Sequence, residues 1–89
     1  MYYTYVLQSK KDMQFYTGYT QDLKNRLKEH NDGRVESTKS RRPLELIYCE
    51  GCINEDDAKQ REQYLKSGIG KRYLKNRLKQ WRLTGRTSP

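Results

Sequence analysis

Aromatic and aliphatic residues are concentrated near the N-terminus and again near the middle of the chain, in patterns typical of strands. Residues 2–8 (YYTYVLQ) are rich in aromatic and β-branched types, which predicts a first strand. After the polar segment SKKDMQ, residues 15–17 (FYT) predict a second strand, so that the two form a hairpin. Residues 44–49 (LELIYC) predict a third strand, since Pro43 favours an extended conformation at Arg42 just before it.

Three segments between and after these strands show signals for helices. The first helix is predicted to have Thr20 as its N-cap and to end at the stop signal Asn31-Asp32-Gly33. The second begins at Asn54, followed by three acids that complement the helix dipole, and ends at Ser67-Gly68. The third helix is predicted over roughly residues 71–82, with an apolar stripe along one side.

The order β-β-α-β-α-α predicts an α+β fold, a small sandwich in which a three-stranded antiparallel sheet is flanked by three helices. A chain of 89 residues is expected to form one domain that buries roughly 60% of its unfolded surface. We expect the folded domain to cover residues 1–78. Residues 79–89 would hold the end of the C-terminal helix and a loose tail from Thr84 onward.

Charge is distributed unevenly along this domain. Residues 1–65 contain 11 Lys and Arg and 11 Asp and Glu, whereas residues 66–89 contain eight cations and no acid, and so supply the whole net charge of +8. A one-sided basic surface is typical of proteins that bind a phosphate backbone, because phosphate neutralisation releases counterions. A solvated basic helix is the alternative, but Tyr73 and Trp81 beside these cations favour nucleic acid.

The first predicted helix carries two polar residues toward its apolar side. Leu23 and Leu27 are four residues apart and mark the inward face. At about 100° per residue, His30 falls almost directly above Leu23, and Arg26 lies about 60° to the side. A histidine and an arginine therefore point toward the body of a small protein.

The second predicted helix shows the same feature. Glu62 lies between the apolar positions Ala58 and Leu65 on its inward stripe. A carboxylate in such a position costs free energy unless it is paired or bound to a metal ion. A buried ion pair between Arg26 and Glu62 would account for two of the unusual residues, but it leaves His30 and the neighbouring tyrosines unexplained.

Together with the tyrosines of the hairpin, these residues resemble the GIY-YIG nuclease domain, most of all its short stand-alone bacterial members. The resemblance covers residues 1 to about 78. The ordered set consists of Thr4-Tyr5, the Tyr16-Thr17-Gly18 motif eleven residues after Tyr5, then Arg26, His30 and Glu62. The sequence departs from the family pattern in reading YTY for the first motif and YTG for the second, and in having Tyr19 where some members have lysine. The family's C-terminal asparagine would fall at Asn76, which lies off the apolar stripe and which we leave out of the site.

The resemblance implies metal-dependent hydrolysis of phosphodiester bonds in DNA by an endonuclease, in repair or recombination. Glu62 would hold one Mg²⁺, with Mn²⁺ as the alternative, and Arg26 would neutralise charge on the scissile phosphate. A phenol, either Tyr5 or Tyr16, would orient or deprotonate the attacking water, helped by the metal ion, by Arg26, or by His30 as acceptor of the phenol proton.

The expected partner is DNA, and its form (duplex, single-stranded or branched) stays open. A protein partner could supply specificity, because larger family members carry a separate DNA-recognition domain. Eight residues are predicted to contact nucleic acid through charge or close backbone approach. They are Gly18, Lys39, Arg41, Arg42, Lys71, Arg72, Lys75 and Arg77.

Two other functions stay open at this point: a nucleic-acid-binding module with weak or no catalysis, and a structural or adaptor domain built on a core ion pair between Arg26 and Glu62. Zinc or redox chemistry at Cys49-x-x-Cys52 has less support, since structural zinc needs four ligands and His30 is the only histidine. No apolar run approaches the roughly 20 residues of a membrane span, and no signal-peptide pattern is present, so we expect a cytoplasmic protein with no membrane partner and reduced thiols.

Overall fold

The computed structural model describes residues 1–85 and contains three strands and four α-helices in that range. The strands are β1 (Tyr2–Ser9), β2 (Phe15–Thr20) and β3 (Leu44–Cys52). The helices are α1 (Leu23–Asn31), α2 (Glu55–Lys66), α3 (Gly68–Arg77) and α4 (Lys79–Gly85), with a 3₁₀ turn at Lys39–Arg41. The predicted α+β class is therefore confirmed, with one more short helix than expected.

The sheet is antiparallel, with β1 in the centre and strand order β2-β1-β3. Every residue of β1 from Thr4 to Ser9 is buried. In the register of the hairpin, Tyr5 lies opposite Gly18, and Leu7 lies opposite Tyr16. The hairpin therefore brings both motifs of the predicted site to the same place in the sheet.

Apolar side chains pack on both faces of this sheet. On one face, which we call the tyrosine face, Tyr5, Leu7 and Leu44 form a cluster against Leu23 and Leu27 of α1. On the opposite face, which we call the helix-pair face, Val6 packs with Leu65 of α2 and Leu74 of α3. The alternation of side chains along β1 explains this division, because successive residues of a strand point to opposite faces.

The prediction of Thr20 as the N-cap of the first helix is wrong. Strand β2 continues through Thr20, which lies opposite Tyr3 in the ladder. The N-cap is Asp22, whose carboxylate accepts a hydrogen bond from the backbone N–H of Asn25 at 3.1 Å. The Thr20 hydroxyl instead accepts from the N–H of Asp22 at 3.1 Å. Pairing with β1 therefore extends β2 beyond the length that its own sequence indicates.

The third strand is also longer than predicted, because it continues through Cys52, which pairs with Tyr2 of β1. The third helix was predicted over 71–82 but starts at Gly68, where the Ser67 hydroxyl accepts from the N–H of Gly70 at 3.1 Å. It ends at Arg77, and α4 continues through Gly85, so the predicted loose tail does not begin at Thr84. The rest of that tail, residues 86–89, lies outside the described part of the chain.

Gly70 explains how α3 can follow α2 so closely. A Cβ atom at this position would lie 1.9 Å from the backbone oxygen of Tyr64. The absence of a side chain therefore lets the first turn of α3 contact the last turns of α2.

Two predicted helix boundaries are confirmed. The first helix, α1, ends at Asn31, and α2 begins after its N-cap Asn54.

Within residues 1–85, the helices lack the length and apolar character that crossing a lipid bilayer requires.

Candidate active site

A chain of hydrogen bonds between buried side chains connects the central strand to the loop after α1. The Tyr5 hydroxyl lies 2.9 Å from Nε2 of His30. Nδ1 of the same imidazole lies 2.8 Å from the hydroxyl of Thr38, which is also fully buried. Both ring nitrogens of His30 are thus occupied, and the orientation of the ring is fixed from two sides.

The partners of Thr38 indicate which nitrogen of His30 carries the proton. The Thr38 hydroxyl has the backbone oxygen of Val35 at 3.5 Å as an acceptor for its own proton. It can then accept a hydrogen bond from Nδ1–H of His30, which leaves Nε2 free to accept from the Tyr5 hydroxyl. This arrangement gives Tyr5 a neutral imidazole as a proton acceptor.

The imidazole is neutral at neutral pH because charging it inside the protein is unfavourable. Burial and, to a smaller extent, the positive charge of Arg26 together lower the pKa of His30 from 6.5 to about 4, against a weaker opposite effect of Glu29. Burial also raises the pKa of the Tyr5 phenol, although the Arg26 guanidinium opposes this. The resting pair is therefore a phenol hydrogen-bonded to an uncharged imidazole.

We expect this buried imidazole to make the fold less stable in weak acid. Between pH 6.5 and 4 the unfolded chain binds a proton at His30 that the folded chain does not, so the free energy of unfolding should fall as the pH falls through this range. The loss should approach about 3 kcal/mol for the full shift. Urea unfolding of the wild-type chain and of His30→Gln across this range measures it.

The His30→Gln variant should show a shallower slope, since it has no imidazole to protonate. Asp12 and Asp32 also reduce stability below about pH 5, because hydrogen bonds to their carboxylates lower their pKa values below 3.8. Both proteins contain these groups, so the difference between the two slopes reports on His30. Equal slopes for the two proteins between pH 6.5 and 4 would mean that the folded protein accepts a charged His30.

The glycine of the second motif leaves room for the Tyr5 phenol. A Cβ atom at Gly18 would lie 2.6 Å from the Tyr5 hydroxyl oxygen and 2.8 Å from the ring carbon that bears it. Such contacts are too short to be tolerated, so a side chain at this position would displace the phenol. Glycine is thus required at position 18 because the Tyr5 phenol occupies the space of a side chain. The predicted contact of Gly18 with nucleic acid stays a prediction.

Tyr16 also contacts the ring of His30. Its ring centroid is 5.1 Å from that of His30 and the planes are inclined by 64°, while the Tyr5 ring is 5.7 Å from His30 at 71°. These are edge-to-face contacts, which are favourable between aromatic rings. The two tyrosines of the motifs therefore both pack against His30.

Arg26 reaches this cluster from the exposed side of α1. Its side chain is 36% exposed and forms an ion pair with Glu29, with Nη1 and Oε1 separated by 3.1 Å. Its charge lowers the pKa of His30, and at Tyr5 it opposes the rise in pKa that burial causes. The guanidinium therefore lies at the mouth of the site, accessible to an anion from solvent.

Glu62 approaches the same phenol from α2. Its side chain is only 16% exposed and lies 3.5 Å from Nζ of Lys66, one helical turn further on. The negative charge of Glu62 contributes to the raised pKa of Tyr5, after burial and the nearer phenol Tyr16. Glu62 was predicted from the sequence to lie on the inward stripe of α2, and from there its negative charge acts on Tyr5.

The proposed core ion pair between Arg26 and Glu62 is not formed. Within residues 1–85, Arg26 pairs with Glu29 and Glu62 pairs with Lys66. Both pairs are local to one helix, at spacings of three and four residues, so they do not connect α1 to α2. The ion pair on which an adaptor domain would have been built is therefore absent from this part of the chain.

The donors in this site suit a hard cation. The available ligands are the Glu62 carboxylate and phenol oxygens, and oxygen donors are what Mg²⁺ prefers. Within the described residues, no group of three or more His, Cys, Asp and Glu side chains is arranged to bind a metal ion. A cation at Glu62 would therefore take most of its ligands from water and a substrate phosphate.

The two cysteines lie apart from this site. Cys49 is exposed and Cys52 is half-buried, and both are free thiols on the edge strand β3. A strand setting differs from the helix N-terminus that activates a redox Cys-x-x-Cys pair.

The basic residues predicted to contact nucleic acid fall into separate places. Arg41 is half-buried and forms an ion pair with Asp12 at 3.4 Å. Lys39 and Arg42 line an open depression beside the 3₁₀ turn. The others, Lys71, Arg72, Lys75 and Arg77, are exposed on α3. The cations thus belong to two elements, the 3₁₀ turn with Arg42 after it and α3, and their contact with nucleic acid stays a prediction.

Sequence reasoning missed three residues that act on the site side chains: Thr38, Glu29 and Lys66. Thr38 lies in a polar loop with no periodic pattern, and only the fold brings its hydroxyl to His30. The other two were detectable, because Glu29 follows Arg26 by three residues and Lys66 follows Glu62 by four.

The chain is similar to known proteins in sequence and in fold. The family model described as the GIY-YIG catalytic domain matches residues 1–76. The solution NMR structure of the UPF0213 protein BH0048 from Bacillus halodurans is similar, with a TM-score of 0.52 and 33% sequence identity. The match covers 83% of this chain and 82% of that one.

Several bacterial proteins are related in sequence. UPF0213 protein YazA of Bacillus subtilis strain 168 is 49% identical over 57 residues, which cover 63% of this chain and 58% of that protein, less than two thirds of its length. UPF0213 protein CPE1444 of Clostridium perfringens is 42% identical over 67 residues, covering 74% of this chain and 71% of that protein. The UPF0213 protein in the ldhD 5′ region of Pediococcus acidilactici is 40% identical over 81 residues, covering 84% and 82%.

Proposed function

Because the chain belongs to the GIY-YIG family of nuclease domains, we propose that it is an endonuclease that hydrolyses phosphodiester bonds of DNA with the help of a divalent cation. The observation that carries this proposal is the hydrogen bond between the Tyr5 phenol and the buried His30, with the charges of Arg26 and Glu62 acting on the same phenol. We place the activity in residues 1–78, in a cytoplasmic protein.

Tyr5 is the proposed general base. It is the phenol with a hydrogen bond to a neutral imidazole, 2.9 Å away, whereas Tyr16 meets the same ring edge to face. The water oxygen would form the new bond to phosphorus while the bond to the leaving oxygen breaks. The water proton would pass to the Tyr5 oxygen as the Tyr5 proton moves to Nε2 of His30. Thr38 holds His30 in the tautomer that this transfer needs.

Arg26 is the proposed phosphate ligand. Its guanidinium is partly exposed and its partner Glu29 is a neighbour on the same helix, so it can rotate toward a bound phosphate without breaking the core. Two parallel N–H groups of arginine fit two phosphate oxygens. The arginine would neutralise charge that develops on the scissile group.

Glu62 is the proposed ligand of the cation, Mg²⁺ or Mn²⁺, with water and phosphate oxygens as the other ligands. When bound, the cation would supply positive charge next to the scissile phosphate. Before the cation binds, Nζ of Lys66 lies 3.5 Å from the Glu62 carboxylate and balances its charge. The exposed side chain of Lys66 can then turn away into solvent.

Nicking of labelled DNA tests the proposal. We expect strand cleavage of single- or double-stranded DNA with Mg²⁺ or Mn²⁺, and none with a chelator. Cleavage that persists in the chelator would contradict the role of the cation. DNA binding without cleavage of single-stranded, duplex or branched substrates under any of these conditions would instead favour a binding module that has lost catalysis.

A further inference from the structure

A second candidate site lies on the helix-pair face of the sheet. The turn between β1 and β2 and the helices α3 and α4 enclose a cleft of about 310 Å³. Its wall includes Phe15, Trp81, Lys71, Lys75 and Arg82. Phe15 packs against the cluster of Val6 and Leu74, so the cleft lies on the sheet face opposite Tyr5.

The charge of this cleft favours an anion. Lys71 and Lys75 are one helical turn apart on α3 and project to the same side, and Arg82 joins them from α4. The described residues that line the cleft include no acid. Within residues 1–85, none of the three cations has a carboxylate within ion-pair distance. Their charges therefore remain available to a phosphate.

The apolar part of the cleft favours a flat ring. Trp81 is half-buried beside the cations, and it does not belong to the packed cluster of Val6, Leu65 and Leu74. An aromatic face next to lysine and arginine is the usual combination for binding a nucleotide, in which the base stacks and the phosphate pairs with the cations. The volume is near the lower end of the range of about 300–1,000 Å³ for ligand pockets, so it admits one nucleotide but not a duplex.

We propose that this cleft binds one nucleotide of a single-stranded nucleic acid, with the base on Trp81 and the phosphate among Lys71, Lys75 and Arg82. The proposal rests on the proposed function for the class of ligand. An unpaired strand held here would be anchored on the sheet face opposite the Tyr5 cluster. The protein would then favour substrates with an unpaired segment next to the cut.

The fluorescence of Trp81 reports on this site directly, since it is the only tryptophan in the chain. A base that stacks on the indole should quench its emission. We expect a single-stranded oligodeoxythymidylate to quench in the presence of a chelator, which prevents cleavage. Tripolyphosphate should not quench, since it carries charge without bases. Quenching by tripolyphosphate equal to that by the oligonucleotide would overturn the stacking part of the proposal.

Two further ligands test whether the bound nucleotide belongs to a single strand. Thymidine monophosphate at the same nucleotide concentration should quench much less than the oligonucleotide, because a strand contributes further phosphate contacts. Equal quenching by the two would overturn the assignment to a strand. Duplex DNA should quench less than the single strand, and equal or stronger quenching by the duplex would overturn the preference for an unpaired nucleotide.

Substitution of Lys71 and Lys75 tests whether the cleft binds the phosphate of the nucleotide. The double variant Lys71→Gln/Lys75→Gln keeps Trp81 as the probe. It should bind the oligonucleotide about tenfold more weakly, with a log–log salt dependence shallower by about 1.4, since each phosphate contact with a single strand contributes about 0.7. The matched control Lys24→Gln/Arg34→Gln removes the same charge from exposed positions outside the cleft and should change affinity much less. Equal losses for the two double variants would show that only net charge matters.

The variant Trp81→Leu separates stacking from folding. It should lower the affinity for the oligonucleotide, measured by anisotropy of a labelled strand, with an unchanged circular dichroism spectrum and melting temperature. Unchanged affinity would overturn the proposal.

The nucleotide site and the proposed nuclease activity can be tested separately. Cleavage of DNA without quenching of Trp81 would contradict only the nucleotide site, and quenching without cleavage would contradict only the nuclease activity.

Discussion

Replacement of Glu62 by glutamine should reduce the rate of DNA cleavage by about 10²–10³-fold or more, comparable to the loss of a group that stabilises transition-state charge. Glutamine keeps the size of the side chain and its capacity for hydrogen bonds, but it removes the charge that attracts the cation. Affinity for DNA should stay similar or rise, since a negative charge near the phosphate is lost. Nicking rates and binding curves on one labelled substrate measure both.

The fold should tolerate this change. The Glu62–Lys66 pair is a local pair on one helix, of a kind worth roughly 0.3–0.5 kcal/mol. The matched control is Glu36→Gln, which removes one negative charge at an exposed position in the loop after α1. The control should cleave at the wild-type rate and melt at the wild-type temperature. A Glu62→Gln protein that nicks as fast as the control would contradict the enzyme as proposed.

Substitution of Gly18 by alanine should remove most of the activity by displacing Tyr5. The new methyl group would lie 2.6 Å from the Tyr5 hydroxyl oxygen, inside the limit for any such contact. The phenol is buried and hydrogen-bonded to His30, so the ring or the strand has to shift. A shift of about 1 Å at a reacting group lowers the rate by about 10²-fold. Overpacking of this kind also costs about 1–3 kcal/mol of stability.

Gly68 provides the control for this substitution. It lies at the start of α3, and a Cβ atom there would have no neighbour within 4 Å. Gly68→Ala should therefore be neutral or stabilise the protein by up to roughly 1 kcal/mol, because alanine is the better helix former. Chemical unfolding and nicking rates of the two variants test the prediction. A Gly18→Ala protein with wild-type stability and cleavage would show that the Tyr5 oxygen does not need its present position.

Some features of the protein follow from short segments of sequence alone. The helix starting after Asn54 and the helix ending at Asn31 are confirmed, because capping and stop signals act within a few residues of the helix end. The order of strands and helices is confirmed for the same reason, since periodicity is a local property. The inward direction of His30 also followed from spacing alone, and the imidazole is fully buried.

Other features depend on residues that are distant in sequence. Strand β2 reaches Thr20 and β3 reaches Cys52 only because β1 offers backbone partners along its whole length. Spacing also placed Arg26 and Glu62 on inward stripes, but it did not determine their partners, and the ion pair considered between them is replaced by local pairs with Glu29 and Lys66. Long side chains have many rotamers, and which neighbour they meet depends on how the helices are placed.

The sequence by itself determined the fold class and the residue types of the candidate site, because both are expressed in local patterns and in the order of a few residues. The tertiary structure decided what those residues do to one another. It placed Thr38 and Tyr5 at the two ring nitrogens of His30, and it put Gly18 where only a missing side chain leaves room for the phenol. It also joined a β-turn and two helices into the cleft at Trp81. Such contacts arise from packing between helices and strands, and local sequence patterns do not predict them.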